Sequence, residues 1–167
     1  MSLFVIADPH LSFSSNKSMD IFKGWSDYTS RLRDNWQSAV SENDTVVVPG
    51  DISWAMNIEE ALNDFKFLNS LNGRKIILKG NHDYWWTTKS KADKFFEANG
   101  LTTLNVLNNN FYSYEDIGIC GTRGWINDGS EPADAKVIRR EAMRLERSIQ
   151  GAVQSGLYPV VFMHYPP

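Results

Sequence analysis

The sequence predicts an α/β fold with one mainly parallel sheet and a second sheet of more antiparallel character. Three observations support this prediction. Five short apolar runs rich in β-branched residues are typical of strands, helical patterns separate most of them, and two further runs in the middle of the chain resemble a hairpin. Strands that alternate with helices favour the crossover connections that parallel strands require.

The strands are predicted where apolar runs stop at glycine, proline or polar residues. The five runs are Leu3–Ala7, Thr45–Pro49, Lys75–Lys79, Ile117–Gly121 and Tyr158–His164. Two more runs, Thr102–Leu107 and Phe111–Tyr114, are separated by Asn108–Asn110 and predict a β-hairpin. The hairpin and the Ile117 strand together indicate the second sheet.

Helices are predicted between the strands from apolar residues at helical spacing. The four segments are Tyr28–Val40, Ile58–Leu71, Thr88–Asn99 and Ala133–Ser155. Asn57 and Glu60 form a potential cap at the start of the second helix. Gly100 and Gly156 follow the third and fourth helices, where a left-handed residue commonly ends a helix.

Length and composition indicate a globular protein. With 167 residues, 42% of them hydrophobic and 22% charged, the chain suits one domain over residues 1–167 with its own core. A net charge of -3 argues against nucleic acid and anionic membranes as partners. The single cysteine, Cys120, lies in an apolar run and is expected to be buried, which fits a reducing compartment. Without a signal-peptide pattern or an apolar stretch of spanning length, we expect a cytoplasmic location.

Polar groups directly follow four of the predicted strands. They are Asp8-Pro9-His10, Gly50-Asp51, Gly80-Asn81-His82-Asp83 and His164. Ligands of open α/β sheets bind outside the carboxyl ends of the strands. If these strands lie side by side in one sheet, the four groups converge on one crevice.

The residue types in these groups suit a metal site. Asp8 and His10 are two positions apart, so on an extended segment they face the same side and hold one cation. Asp51 has two oxygens and can bridge two cations, while Asn81 and His164 offer neutral ligand atoms. Mixed oxygen and nitrogen ligands suit Mn, Fe or Zn better than Ca. Two divalent ions would outweigh the charge of two carboxylates and attract a phosphate.

The ordered motifs DxH, GD and GNHD, followed by a histidine after a later strand, resemble those of the calcineurin-like metallophosphoesterases. This resemblance extends from Asp8 to His164. It implies a four-layer α/β/β/α sandwich of two mixed sheets with two divalent metal ions at the strand ends. It also implies a phosphatase or phosphodiesterase in which a metal-bound hydroxide attacks phosphorus in line. The expected partner is a phosphorylated small molecule or another phosphoester.

The resemblance implies a role for each polar residue. Asp8 and His10 would bind the first metal, Asp51 would bridge, and Asn81 and His164 would bind the second.

The neighbouring polar residues would act on the substrate. His82 would face the leaving group as a general acid or electrostatic stabiliser. Asp83 would orient His82 through a hydrogen bond, cap the following helix, or do both. Arg123 would clamp a phosphate or form a surface ion pair.

One family motif, a later GHxH, does not occur in these 167 residues. We expect that the encoded protein continues beyond Pro167 and that its C-terminal part is missing from this sequence; a true loss of the motif is the alternative. In that alternative, the chain would be a non-catalytic member of the fold that binds a protein partner. A nuclease would share the metal chemistry, but the acidic composition argues against it.

Overall fold

A computed structural model describes residues 1–126 and 132–166, so Pro167 and the segment 127–131 lie outside the described part. A short 3-10 helix, Met19–Ile21, precedes the first α-helix. The elements follow in the order β1 (Leu3–Val5), α1 (Tyr28–Ala39), β2 (Thr45–Val48), α2 (Leu62–Ser70), β3 (Arg74–Ile77), α3 (Lys89–Ala98), β4 (Leu104–Val106), β5 (Tyr112–Tyr114), β6 (Ile117–Thr122), α4 (Pro132–Gln154) and β7 (Tyr158–Met163).

The first sheet has the strand order β1-β2-β3-β4, and each of its described pairs is parallel. Val47 of β2 lies opposite Val5 on one side and Ile76 on the other. Each crossover contains one α-helix, which is the usual connection between neighbouring parallel strands. The predicted parallel sheet is therefore confirmed.

The second sheet has the order β5-β6-β7, with β5 antiparallel and β7 parallel to β6. The predicted hairpin is wrong, because its two runs lie in different sheets. Leu104 and Val106 of β4 are buried in the core beneath the helices, which extends the parallel sheet by one strand. Asn108–Asn110 then carry the chain across to the second sheet. Of the two sheets, only the second mixes parallel and antiparallel pairs among the described strands.

Two apolar clusters hold the elements together. The larger one lies between the first sheet and α1, α2 and α3, and Phe65 is at its centre with no exposed surface. The smaller one joins the two sheets through Val47, Ile76, Leu78, Leu107 and Ile119. Helix α4 packs against β6 and β7.

Two local predictions have clear outcomes in the structure. Helix α2 begins at Leu62 and not at Ile58, because the Asn57 and Glu60 cap stabilises a separate turn ahead of it. Cys120 is fully buried, as expected. Among the described helices, none combines the length and hydropathy needed to cross a membrane.

Candidate metal centre

The predicted ligands lie at the carboxyl ends of four strands, but these strands belong to two sheets. Asp8, Asp51 and Asn81 follow β1, β2 and β3, which are neighbours in the first sheet. His164 follows β7, so it reaches the same place from the second sheet. The expectation of convergence is met, while the expectation that one sheet supplies all four groups is wrong.

The side chains approach one another closely. One ligand atom each from Asp8, Asp51 and His164 lies within 4.8 Å of the others. His10 Nε2 is 3.7 Å from Asp8 Oδ1 and 3.7 Å from Asp51 Oδ2. His164 Nε2 is 3.6 Å from Asp51 Oδ1 and 2.7 Å from the Asn81 Oδ1 atom. The two oxygens of Asp51 therefore face two different imidazoles, as a bridging carboxylate would.

The backbone around these residues is left-handed and not extended. Asp8, His10 and Asp51 have φ angles of 57°, 44° and 53°. The extended geometry expected for Asp8 and His10 is therefore wrong, although their side chains still meet. Positive φ angles at non-glycine residues are uncommon and concentrate at functional sites. Backbone hydrogen bonds of 3.2 Å from Asp8 to Gly50 and 2.9 Å from His10 to Asp51 hold the two loops together.

Two glycines let the loops after β2 and β3 come into contact. A Cβ atom on Gly80 would lie 2.0 Å from Asp51 Oδ1 and 2.2 Å from Asp51 N. Gly50 has a φ of 99°, and a Cβ there would lie 2.6 Å from Gly80 Cα and 2.7 Å from His164 Nδ1. Neither position has room for a side chain, so the GD and GNHD motifs need glycine for close approach.

The hydrogen bonds of His164 show that the cluster suits a cation. His164 Nδ1 is 2.9 Å from the carbonyl oxygen of Pro49, which can only accept a hydrogen bond. When Nδ1 donates there, Nε2 presents a lone pair toward the oxygens of Asn81 and Asp51. Metal-binding histidines commonly donate their other ring N–H to a backbone carbonyl in this way. The lone pairs of these three side chains thus converge, as they would on a bound metal ion.

His10 is held in the form that can bind a metal. Burial lowers its pKa, and the charges of Asp51 and Asp8 offset part of this effect. The neutral imidazole offers a lone pair at Nε2, which faces both carboxylates. Tyr28 supports the loop from below by donating a hydrogen bond of 2.8 Å from its hydroxyl to the His10 carbonyl.

The Asp83 carboxylate has a different role from the one predicted. It is fully buried and accepts hydrogen bonds from the backbone N–H groups of Gly80, Asp51, Ile52 and Ser53 at 2.7, 2.9, 2.8 and 3.2 Å. The indole of Trp85 donates a fifth at 2.9 Å. Burial raises the pKa of Asp83, and the backbone donors oppose that rise. The predicted hydrogen bond to His82 is not formed, and the predicted helix cap is also wrong, because Thr88 caps α3. Asp83 instead ties together the loops after β2 and β3.

His82 lies beside the cluster in an aromatic pocket. Its ring centroid is 4.6 Å from that of Trp54, 5.8 Å from His10 and 6.2 Å from Tyr84. Its Nδ1 atom is buried and has no hydrogen-bond partner within the described part of the chain. Its backbone N–H donates to Asp51 Oδ1 at 2.8 Å. Tilted and edge-on aromatic contacts therefore hold the His82 ring beside the cluster.

Trp54 lies beside the cluster, in contact with His10 and His82. Its ring stacks on His10 with a centroid distance of 4.9 Å and an interplanar angle of 17°. The Lys17 ammonium lies 5.0 Å from the Trp54 ring centroid. These contacts join residues far apart in the chain, so no local sequence motif predicts them.

Arg123 lies outside the metal cluster, after β6. Its guanidinium stacks over the Trp125 ring at 4.5 Å and is 3.8 Å from the carboxylate of Glu141. The ion pair that the sequence allowed is present, in a long and partly buried form.

One comparison with known proteins identifies the family of this chain. Among solved structures, the protein of unknown function AQ665 from Aquifex aeolicus is 18% identical; the alignment covers 96% of this chain and 89% of that chain, with a TM-score of 0.48. A likeness at that level carries no argument about function. No curated protein matches the chain at a significant level. The sequence model described as calcineurin-like phosphoesterase matches residues 1–167, and the chain therefore belongs to the calcineurin-like phosphoesterase family.

Proposed function

We propose that the protein is a metal-dependent phosphoester hydrolase, acting as a phosphatase or a phosphodiesterase. The observation that carries this proposal is the position of Asp51, whose Oδ2 faces His10 and whose Oδ1 faces His164, each within 3.7 Å. This carboxylate, whose two oxygens face different imidazoles, occurs in a chain of the calcineurin-like phosphoesterase family. The Asp51 geometry and the family together favour phosphoester hydrolysis over a non-catalytic binding function.

The residues of the cluster form two ligand sets. Asp8, His10 and Asp51 Oδ2 would hold one divalent cation, and Asp51 Oδ1, Asn81 and His164 would hold the other. The mixture of oxygen and nitrogen favours Mn, Fe or Zn. Such ions would supply positive charge for the phosphoryl oxygens and a water molecule of lowered pKa. Two carboxylates leave two divalent ions with excess positive charge, so the site would attract a phosphate.

The residues around the cluster would place and protonate the substrate. His82 would donate a proton to the leaving oxygen, since its ring lies beside His10 and Trp54 at the edge of the cluster. Asp83 would act on the ligand loops through their backbone. Arg123 would bind an anionic part of the substrate.

The chain organisation is also part of the proposal. The helices on the first sheet, the apolar cluster between the sheets, and α4 on the second sheet support an α/β/β/α sandwich. We further propose that residues 1–167 form one metallophosphoesterase-like domain. The reducing compartment inferred from Cys120 stays a prediction.

The first test is Asp51→Asn, which keeps the shape of the side chain but removes its charge. We expect loss of bound metal and a fall in kcat/KM on an aryl phosphate of at least about a thousandfold, because metal charge supplies several kcal/mol to the transition state. Metal content by elemental analysis and phosphatase rates across Mn, Fe, Zn and Mg measure this. Unchanged hydrolysis in the variant would refute the bridging role.

The second test is His82→Ala. We expect full metal content and a fall in kcat of about a hundredfold to ten thousandfold, as for loss of a general acid. Loss of metal from this variant would show that His82 is a ligand. If the wild-type protein binds metal but hydrolyses no phosphoester, the non-catalytic alternative replaces the proposed function.

A further inference from the structure

A polar cavity lies at the same edge of the fold as the metal cluster, which consists of Asp8, His10, Asp51, Asn81 and His164. It has a volume of about 380 Å³ and lies where β3, β4 and β6 end, between the start of α3 and α4. Its described lining includes Lys79, Thr88, Arg123, Glu141 and Arg144. None of these residues belongs to the metal cluster.

The charged side chains around this cavity are mostly basic. Three cations, Lys79, Arg123 and Arg144, face it together with one carboxylate, Glu141. Glu141 is buried, with 4% of its surface exposed, so solvent screens its charge only weakly. The described lining thus carries more positive than negative charge.

The single carboxylate is already occupied. Glu141 Oε1 accepts a hydrogen bond of 2.5 Å from Arg144, and Glu141 Oε2 accepts one from the Thr122 hydroxyl. Arg123 is left with the longer contact of 3.8 Å to Glu141. Glu141 therefore orients the arginines but does not neutralise all of the cations.

Two of the cations have donor capacity to spare. Arg123 Nε is buried and lacks a hydrogen-bond partner within residues 1–126 and 132–166. The ammonium of Lys79 makes no ion pair with any described residue. The Arg123 guanidinium and the Lys79 ammonium therefore retain unused donors, and an anion in the cavity would supply acceptors for them.

The cavity adjoins the metal cluster through the chain itself. Lys79 directly precedes Gly80 and Asn81. The backbone carbonyl of Arg123 accepts a hydrogen bond of 2.8 Å from Tyr165, the residue after His164. The cavity and the metal cluster are therefore neighbours in the fold, as a substrate with two phosphates would require.

We propose that this cavity binds a second phosphate group of the substrate, so that the enzyme acts on compact molecules with two phosphates. One phosphoester would be hydrolysed at the metal cluster while the other phosphate is held by Lys79, Arg123 and Arg144. This inference rests on the proposed function for its catalytic part. The binding part stands on the cavity alone.

The binding test uses metal-free protein, since without metal the cluster of carboxylates repels anions. Inorganic phosphate is titrated into the EDTA-treated full chain by calorimetry and by NMR of the tryptophan indoles. We expect binding that Lys79→Gln and Arg123→Gln each weaken about tenfold or more, as for loss of a charge-assisted hydrogen bond. Lys94→Gln, an exposed cation of α3 outside the cavity, is the matched control and should bind as wild type does.

Arg144→Gln removes a partner of the buried Glu141 and can unfold the region, so Lys79→Gln carries the test. Lys79 pairs with no described carboxylate, and its replacement leaves Glu141 satisfied. The circular dichroism spectrum of each variant confirms folding. Absence of phosphate binding to the metal-free wild type, or equal affinity in Lys79→Gln and wild type, overturns the proposal.

The kinetic arm separates the inference from the proposed function. With metal present, kcat/KM is compared between an aryl phosphate and a sugar bisphosphate. We expect Lys79→Gln to lower the ratio of bisphosphate to aryl phosphate about tenfold, while an equal fall for both substrates contradicts the two-phosphate assignment. If the wild type hydrolyses neither compound and also no aryl phosphodiester, the proposed function fails, and the binding arm alone decides whether the cavity is an anion site.

Discussion

The two edges of the parallel sheet differ in how their buried polar groups are paired. At the amino edge, the Lys75 ammonium is fully buried and donates to the backbone carbonyls of Leu71 and Gly73. Beside it, Asp44 accepts from the backbone N–H of Ser2 at 2.6 Å. At the carboxyl edge, the acceptor atoms of the metal cluster face one another.

This difference distinguishes polar groups that build the fold from those that bind a ligand. The amino edge pairs each of these charges with backbone groups of opposite polarity, so folding alone satisfies them. The carboxyl edge gathers acceptor atoms of Asp8, Asp51 and His164 within 4.8 Å of one another, although one backbone N–H donates to Asp51. Proteins accept such local conflict at functional sites and compensate for it nearby. Here the compensation comes partly from Asp83 at the same edge, because both oxygens of its carboxylate accept hydrogen bonds.

The largest expected effect concerns this compensation. Asp83→Ala leaves five N–H donors without their acceptor. We expect the free energy of unfolding of the metal-free protein to fall by about 3–5 kcal/mol, as for breaking a buried charged network. Urea unfolding measures this. The matched control is Asp93→Ala, whose carboxylate pairs with Lys89 on the surface and should cost at most about 1 kcal/mol. Equal losses in the two variants would remove the distinction between Asp83 and a surface carboxylate.

A smaller effect should separate the two edges directly. Adding Mn²⁺ at 100 times its dissociation constant should raise the free energy of unfolding by about 2.7 kcal/mol, because only the folded chain gathers the ligands. Asp51→Asn should abolish this gain, whereas Lys75→Met at the amino edge should keep it. Thermal unfolding with and without Mn²⁺ gives the comparison. A gain that survives in Asp51→Asn would place the ion elsewhere.

The smallest effect is a pH dependence at the amino edge. Burial lowers the pKa of Lys75 to about 8, below its ordinary value of 10.5. Between these values the unfolded chain binds more protons than the folded one, so stability rises with pH from about 8 to 10.5. We expect a gain of about 1–2 kcal/mol, less than the full shift implies, because two carbonyls accept from the ammonium. Urea unfolding across this range should show the slope in wild type and not in Lys75→Met; a slope that persists in the variant would exclude Lys75 as its source.

Much of the metal cluster could be predicted from local sequence. Apolar runs that end in Asp8, Asp51 and Asn81 place these residues at strand ends, and neighbouring parallel strands bring their ends together. The backbone geometry could not be predicted, because the left-handed φ angles of Asp8 and His10 depend on hydrogen bonds to the loop after β2. The same holds for Asp83, whose donors come mostly from a distant loop.

The misplaced hairpin shows where local patterns stop being informative. The two runs around Asn108–Asn110 have strand-like composition, and nothing within them specifies which strand each will pair with. The pairing of Leu104 with Lys75 is set by burial beneath α3, a contact between distant segments. The cavity lined by Lys79, Arg123 and Arg144 could not be predicted from the sequence for the same reason, because the ends of separate elements form it.

The contact between Gly50 and Gly80 has a practical consequence for protein engineering. The proposed metal ligands are side chains that can be exchanged one at a time, but a methyl group at either glycine would push apart the two loops that carry them. Mutational libraries aimed at new substrates should therefore hold both positions fixed and vary the walls around Trp54 and Arg123. In newly sequenced genomes, a side chain at either glycine would mark chains whose metal chemistry has been abandoned or rebuilt.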